Sequence, residues 1–216
     1  IKGRIEINSD TLGGDMVIRK SDGMPTYNFS ATIDDHLMGI THVIRGEDHL
    51  SNTPKQILLY DAFGWVPPAF AHAPLILGPD RTKLSKRHGN TYIGQYRQEG
   101  YLPEAMLNYL ALLSWAPEGE RELLSKEEII KQFRLERVTR ANPVFDIDKL
   151  NWINAHYIKE AETARITELA MPYLIKEGLI SPQEAEEKRE WLELMTAIVQ
   201  DSLVKGSDIT DRGRIF

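Results

Sequence analysis

An α/β fold giving way to a purely helical region is what this 216-residue sequence predicts. Three observations carry that reading. Short runs of β-branched and aromatic residues occur before residue 70. Polar residues gather directly after the ends of those runs, the place where ligands bind in open parallel sheets. After residue 100 the apolar residues recur at helical spacing between capping signals.

Taken in order, "TYNFSATI" (26–33) is a strand-like run and "THVIRG" (41–46) a second one. Between them "DDHLMG" reads as a short helical turn, capped by Asp34 and closed by Gly39. Thr53 and Pro54 form an N-cap and first-turn pair that starts a helix through "KQILLYDAF", with Gly64 closing it. In the helical part, "PEAMLNYLALLSW" has Pro103 in its first turn and Leu107, Leu110 and Leu113 on the expected core face. Ser125 with Glu128 is a capping box for the next helix. Asp146 caps "IDKLNWINAHY", whose expected core anchors are Trp152 and Ile153. Gly178 ends one helix, and Ser181, Pro182 and Glu184 open another that is expected to run to about Lys205. A composition shift near Ile158 marks a domain junction.

Composition narrows the function classes. The formal net charge is −6 with 42% hydrophobic and 27% charged residues, ordinary for a globular protein and contrary to indiscriminate nucleic-acid binding. No apolar run is long enough to span a membrane, and no basic-then-apolar signal opens the chain. Cysteine is absent, which rules out disulfides and thiolate zinc sites in this chain and fits a cytoplasmic protein. The opening "IKGRIEINSD" has no initiator Met and reads as the middle of something larger.

Three constellations carry chemistry. "GPDRTKLSKRHGN" (78–90) places Arg81, Lys83, Lys86 and Arg87 in one loop bracketed by turn formers. Four cations beside Asp80 repel one another unless an anion offsets them. A solvated basic turn and a phosphate-neutralising loop both fit that run by itself. No Gly-x-x-x-x-Gly-Lys-Ser/Thr run exists, so the loop is not a P-loop. In "VIRGEDH", Arg45 ends a strand and has the planar fork that clamps a carboxylate, while Asp48 can accept hydrogen bonds from a ribose. A structural ion pair involving Arg45 fits that segment equally. Tyr27 is either a packed strand tyrosine or a binding residue.

Four segments together resemble bacterial glutamyl-tRNA synthetase, a class I aminoacyl-tRNA synthetase. They are "PTYNFSATIDDHLMGITHVIRGEDH", "HAPLILGPDRTKLSKRHG", "LPEAMLNYLALLSW" and "VFDIDKLNWINAHYI", spread over roughly residues 16–160. "KLSKR" is similar to that class's Lys-Met-Ser-Lys-Ser loop, with Leu84 for Met and Arg87 for the last Ser. The resemblance implies that Lys83 and Lys86 stabilise the charge that develops as pyrophosphate leaves, with Leu84, Ser85 and Arg87 completing the ATP-binding loop. It implies that Ile76 meets the adenine through its backbone and that Asp48 sits near the ATP. Tyr27 and Arg45 would hold glutamate, Arg45 by its carboxylate. Asp34 and Asp35 would lie near the tRNA acceptor end, although capping accounts for Asp34 as well. His49 receives no role.

The implied layout is the tail of an inserted acceptor-binding domain (1–15), then the second half of a Rossmann-like catalytic domain (16–70). A mostly α-helical stem-contact domain bearing the loop (71–157) and the start of an α-helical anticodon-binding domain (158–216) would follow. The first class signature, His-Ile-Gly-His, is absent, so the resemblance implies a central fragment of a longer, monomeric glutamate–tRNA ligase, inactive by itself. Its substrates would be glutamate, tRNA(Glu) and ATP with Mg²⁺, with no metal or zinc site in this chain. The alternatives are a glutamyl-queuosine tRNA(Asp) synthetase, a glutaminyl-type paralogue, and a tRNA-binding piece without catalysis.

Overall fold

The structure, a computed structural model, describes residues 1–8, 12 and 14–216. Ser9, Asp10, Thr11 and Gly13, part of the stretch expected to be a domain tail, lie outside the described residues. The chain forms two compact units: unit 1 is Ile1–Leu75 with Arg134–Pro143, and unit 2 is Ile76–Phe133 with Val144–Phe216.

Unit 1 is a strand–helix–strand motif with one added helix. Strands β1 (His42–Gly46) and β2 (Ala69–Ala73) pair in parallel, with Arg45 opposite His72. Parallel neighbours need a crossover, and helix α2 (Thr53–Phe63) supplies it. Pro54 sits in its first turn and Gly64, at φ +67°, ends it.

Helix α1 (Tyr27–Leu37) corrects the strand expected over 26–33. The β-favouring residues there serve a helix: the Ser30 and Thr32 hydroxyls donate to the carbonyls of Thr26 and Asn28, four residues back. Phe29 and His36, seven apart on one face, meet Phe63 (ring centroids 6.1 Å) and stack on Trp65 (3.7 Å). Asp34 is therefore an interior helix residue rather than a cap, and its carbonyl receives the Met38 N–H at the helix end. Gly39 does close the helix, at φ +66°.

Apart from a short hairpin near residue 80, the regular elements of unit 2 among the described residues are helices. Its elements are α3 (Ile93–Glu99), α4 (Pro103–Ser114), α5 (Lys126–Gln132) and α6 (Ile147–Glu160). They are followed by α7 (Thr163–Lys176), α8 (Pro182–Glu187), α9 (Arg189–Val199) and α10 (Ile209–Arg212). Caps read from the sequence form as expected at α5 and α8, where Ser125 and Glu128, and Ser181 and Glu184, exchange side-chain and backbone bonds of 2.8–3.1 Å. Asp146 caps α6 by accepting from the Asp148 and Lys149 amides.

One core, containing Tyr109, Leu150, Ile153, Ile158, Ile166 and Leu192, joins α4, α6, α7 and α9. Ile158 lies buried inside α6, where the composition shifts. The core face of α4 is Ala105, Met106 and Tyr109 rather than Leu107 and Leu110, which stay exposed. Tyr109 reaches across to accept the Asp146 N–H at 2.7 Å, which fixes that rotation of the helix. Trp152 is likewise 49% exposed, and Ile153 is the anchor. The single helix expected from residue 182 to 205 breaks at Lys188 (φ −106°, ψ 21°) and ends at Val199.

Candidate functional site

Unit 1 gathers its polar side chains around one cation. Arg45 is the last residue but one of β1, and helix α2 begins after the turn Glu47–His49. Thr53 and Gln56, three apart on α2, face the same way and accept from Arg45 Nη2 at 2.8 Å each. His72, opposite Arg45 in the sheet, lies with Nε2 at 2.9 Å from the Thr53 hydroxyl and 3.5 Å from Arg45 Nε. Phe70 places its ring centroid 5.6 Å from the guanidinium.

Every one of these partners is neutral. Arg45 forms no ion pair among the described residues, and its Nη1 donates no hydrogen bond among them. The structural ion pair left open by the sequence is not the arrangement found. The half-buried guanidinium is held on one side, through Nη2, by neutral acceptors.

The neighbours are tuned to that cation. Burial, with Arg45 adding to it, pushes the His72 imidazole below its ordinary value. A neutral ring lets Nε2 accept from the Thr53 hydroxyl. Burial raises the Asp35 carboxyl while Arg45 opposes the shift. Glu47 is held below the usual carboxylate range mainly by its hydrogen bond from Lys2, and it also accepts the Leu75 N–H at 3.3 Å. Glu47 is therefore committed within the fold. Asp48 folds back over its own turn, where a Cβ on Gly46 would come within 2.6 Å of Asp48 Oδ1.

Tyr27 opens α1 and is 53% exposed, so the packed-tyrosine alternative fails. Its hydroxyl lies 3.5 Å from His49 Nδ1, which also meets the Asn52 amide at 3.2 Å. The Thr53 hydroxyl lies 3.4 Å from the His49 carbonyl oxygen, which links Tyr27 to the Arg45 cluster. Asp34 is exposed on α1 and Asp35 is half-buried. The sequence reading missed His72, Gln56 and the part played by His49. The i, i+3 pair Thr53/Gln56 on a helix following "VIRG" was the available signal.

In unit 2 the basic loop is a short hairpin. Leu77 and Lys83 pair antiparallel, Leu84 N–H donates to the Ile76 carbonyl at 3.0 Å, and Gly78 N–H to that of Thr82 at 2.8 Å. Arg81 sits at its tip in the left-handed region, φ +61°. A single 3-10 turn, Lys86–His88, follows.

Asp80 removes part of the repulsion expected among the four cations. It accepts from the Thr82 N–H (2.9 Å) and hydroxyl (2.8 Å) and pairs with Arg87 at 3.2 Å, and its carboxyl is held far below the usual range, chiefly by the Thr82 amide. Lys86 forms no ion pair among the described residues and is exposed. The one acid of the loop pairs with Arg87 and His88 and not with Lys86.

Comparison with known proteins follows the same lines. The family model described as "tRNA synthetases class I (E and Q), catalytic domain" matches residues 1–152. Glutamate–tRNA ligase 1 of Thermoanaerobacter sp. (strain X514) is 62% identical over all of this chain, and that of Natranaerobius thermophilus is 51% identical. The chain spans about 44% of the length of these curated relatives. Among solved structures, a glutamate tRNA ligase from Elizabethkingia meningosepticum in complex with its amino acid superposes with a TM-score of 0.82 at 36% identity, over 99% of this chain and 45% of that one. The glutamate-tRNA synthetase of Elizabethkingia anophelis gives 0.83 over 99% of this chain and 46% of its own length.

Proposed function

From the premise that this chain belongs to the class I tRNA synthetases specific for glutamate and glutamine, in their catalytic domain, we propose that it carries amino-acid and phosphate-binding parts of a glutamate–tRNA ligase. In that reaction a glutamate carboxylate oxygen attacks the α-phosphorus of ATP, the bond to the β-phosphate breaks, and pyrophosphate leaves. The terminal ribose hydroxyl of tRNA(Glu) then attacks the activated carbonyl and AMP departs. Magnesium enters with ATP, as part of that substrate.

The observation that carries the reading is Arg45, a half-buried guanidinium with neutral partners and an arm to spare. In this proposal it clamps a glutamate carboxylate, with Tyr27 beside it as a second donor. Lys86 and Lys83 neutralise the pyrophosphate as it leaves, Ser85 and Arg87 complete the loop, and Leu84 packs it. Asp48 bonds the ribose and Ile76 meets the adenine. Asp34 and Asp35 lie toward the tRNA acceptor end. The finer layout stays as the sequence implied: 1–15 an insertion tail, 16–70 catalytic, 71–157 stem-contact, 158–216 the start of an anticodon-binding domain.

The test is ATP–pyrophosphate exchange by the full-length enzyme with purified tRNA. Exchange should require glutamate and tRNA(Glu) and fail with glutamine. The 216-residue chain alone, which has no His-Ile-Gly-His motif, should show none. Glutamine-driven exchange at a comparable rate would contradict the substrate assignment.

A further inference from the structure

The loop that carries Lys83 and Lys86 is fastened to itself through one side chain that the sequence reading passed over. His88 follows the lysines, and its side chain is only 9% exposed although Asp80, Lys86 and Arg87 beside it are exposed. Its Nδ1 accepts the Ser85 N–H at 3.0 Å and lies 3.3 Å from the Ser85 hydroxyl. Nε2 faces Asp80 Oδ1 at 3.2 Å and Arg87 Nε at 3.3 Å; with Nδ1 taken up by the Ser85 amide proton, a neutral ring carries its hydrogen on Nε2, directed to the Asp80 carboxylate rather than accepting from Arg87. Asp80 in turn holds Thr82 and Arg87, and Arg87 Nη2 donates to the Thr82 hydroxyl at 2.6 Å.

Space for the ring comes from Gly78. A Cβ there would lie 2.9 Å from three ring atoms of His88, and Gly78 is not in the left-handed region, so the absence of a side chain, not the backbone angle, is what matters. The clasp therefore joins both ends of the loop: Gly78 and Asp80 before the lysines, His88 after them. Ser85, the residue between Leu84 and Lys86, is tied to it directly.

We propose that His88 is the positioning residue of the basic loop, its ring seated on Gly78 and linking Ser85 to Asp80 so that Lys83 and Lys86 meet the leaving pyrophosphate in a fixed arrangement. His88 touches no reacting atom in this role. The proposal rests on the reading of the loop as the pyrophosphate-binding element.

The experiment compares His88→Ala, His88→Asn, Gly78→Ala and the Gly78→Ala/His88→Ala pair in the full-length enzyme, with Lys86→Ala as the control for the loop's function. Two readouts are taken: kcat and ATP KM in tRNA-dependent pyrophosphate exchange, and the rate at which trypsin cuts within residues 81–87 of the folded protein without substrates. His88→Ala should lower kcat by about ten- to a hundredfold, the cost of misplaced groups, and speed cleavage. His88→Asn, whose side-chain oxygen can accept the Ser85 amide, should recover most of both.

Gly78→Ala should act like His88→Ala in the wild-type background and add little to it in the pair, because its harm comes through the ring. Additive losses in the pair would overturn the clasp, and they remain readable even if one single variant folds poorly. If Lys86→Ala cripples exchange while His88→Ala leaves exchange and cleavage unchanged, the clasp is wrong and the loop's function stands. If Lys86→Ala also leaves exchange unchanged, the functional reading and the clasp fall together.

Discussion

Unit 2 buries Leu150, Ile153, Ile158, Ile166 and Ile209 completely, whereas the described apolar residues that unit 1 buries are Leu59, Tyr60 and the prolines Pro68 and Pro74. Unit 1 leaves Leu37, Ile44 and Val66 in water. Buried polar groups differ in the same sense. In unit 2 Asn154 takes the Leu102 N–H and gives to the Val204 carbonyl, Asn108 takes the Leu124 N–H, and Gln200 gives to the Ile158 and Ala161 carbonyls. Those amides satisfy loop backbone that would otherwise be buried without partners. In unit 1 Thr53, Gln56 and His72 are as deeply buried, yet they converge on the Arg45 guanidinium. Burial in one unit serves the scaffold, and in the other it surrounds the Arg45 guanidinium with neutral partners. A protein can be locally ordered by polar groups with little apolar core, and that order points to a site.

The largest effect that sharpens this contrast is on stability. Leu150→Ala should cost about 2–5 kcal/mol, as cavities in well-packed cores do, while Leu58→Ala in unit 1 should cost under about 1 kcal/mol. Leu58 is already 42% exposed. Urea unfolding of the two variants checks it, and equal losses would erase the distinction between the units.

A smaller effect concerns pH. The folded His72 ring resists protonation, so as pH falls below the ordinary histidine value the unfolded chain takes up the proton first. Unit 1 should lose stability from about pH 6.5 downward until the folded ring itself titrates, and recover it as pH rises. His72→Gln, uncharged throughout, should flatten that slope. Urea unfolding at a series of pH values, read on a unit 1 probe such as Trp65, would show it. An unchanged slope would mean the ring carries no such penalty.

How much of this was legible in the sequence follows from which signals are local. Helix ends are set by side chains a few residues away, so the caps at Ser125, Asp146 and Ser181 and the stops at Gly64 and Gly178 could be read directly. Strand β2, "AFAHA", has weak β composition and exists through pairing with β1, so it went unread. Helix α1 was misread because Tyr27, Phe29, Thr32 and Ile33 favour strands by composition, and the contacts with Phe63 and Trp65 that decide the matter lie across the fold. Arg45 and the lysine loop were singled out by charge and spacing. The neutral shell around Arg45 and the seat of His88 on Gly78 were not, since both depend on tertiary placement.

The central claim is that the amino-acid clamp belongs to Arg45 in unit 1 and the phosphate chemistry to Lys86 in unit 2. Glutamate and ATP KM values and single-turnover adenylation rates for Arg45→Lys and Lys86→Ala in the full-length enzyme test it directly. An ammonium cannot reproduce the planar fork, so Arg45→Lys should raise the glutamate KM and leave the ATP KM nearly unchanged. Lys86→Ala should slow adenylation by on the order of 10²-fold or more with the glutamate KM held. A rise in ATP KM with unaltered glutamate KM in Arg45→Lys, or full-speed adenylation by Lys86→Ala, would contradict it.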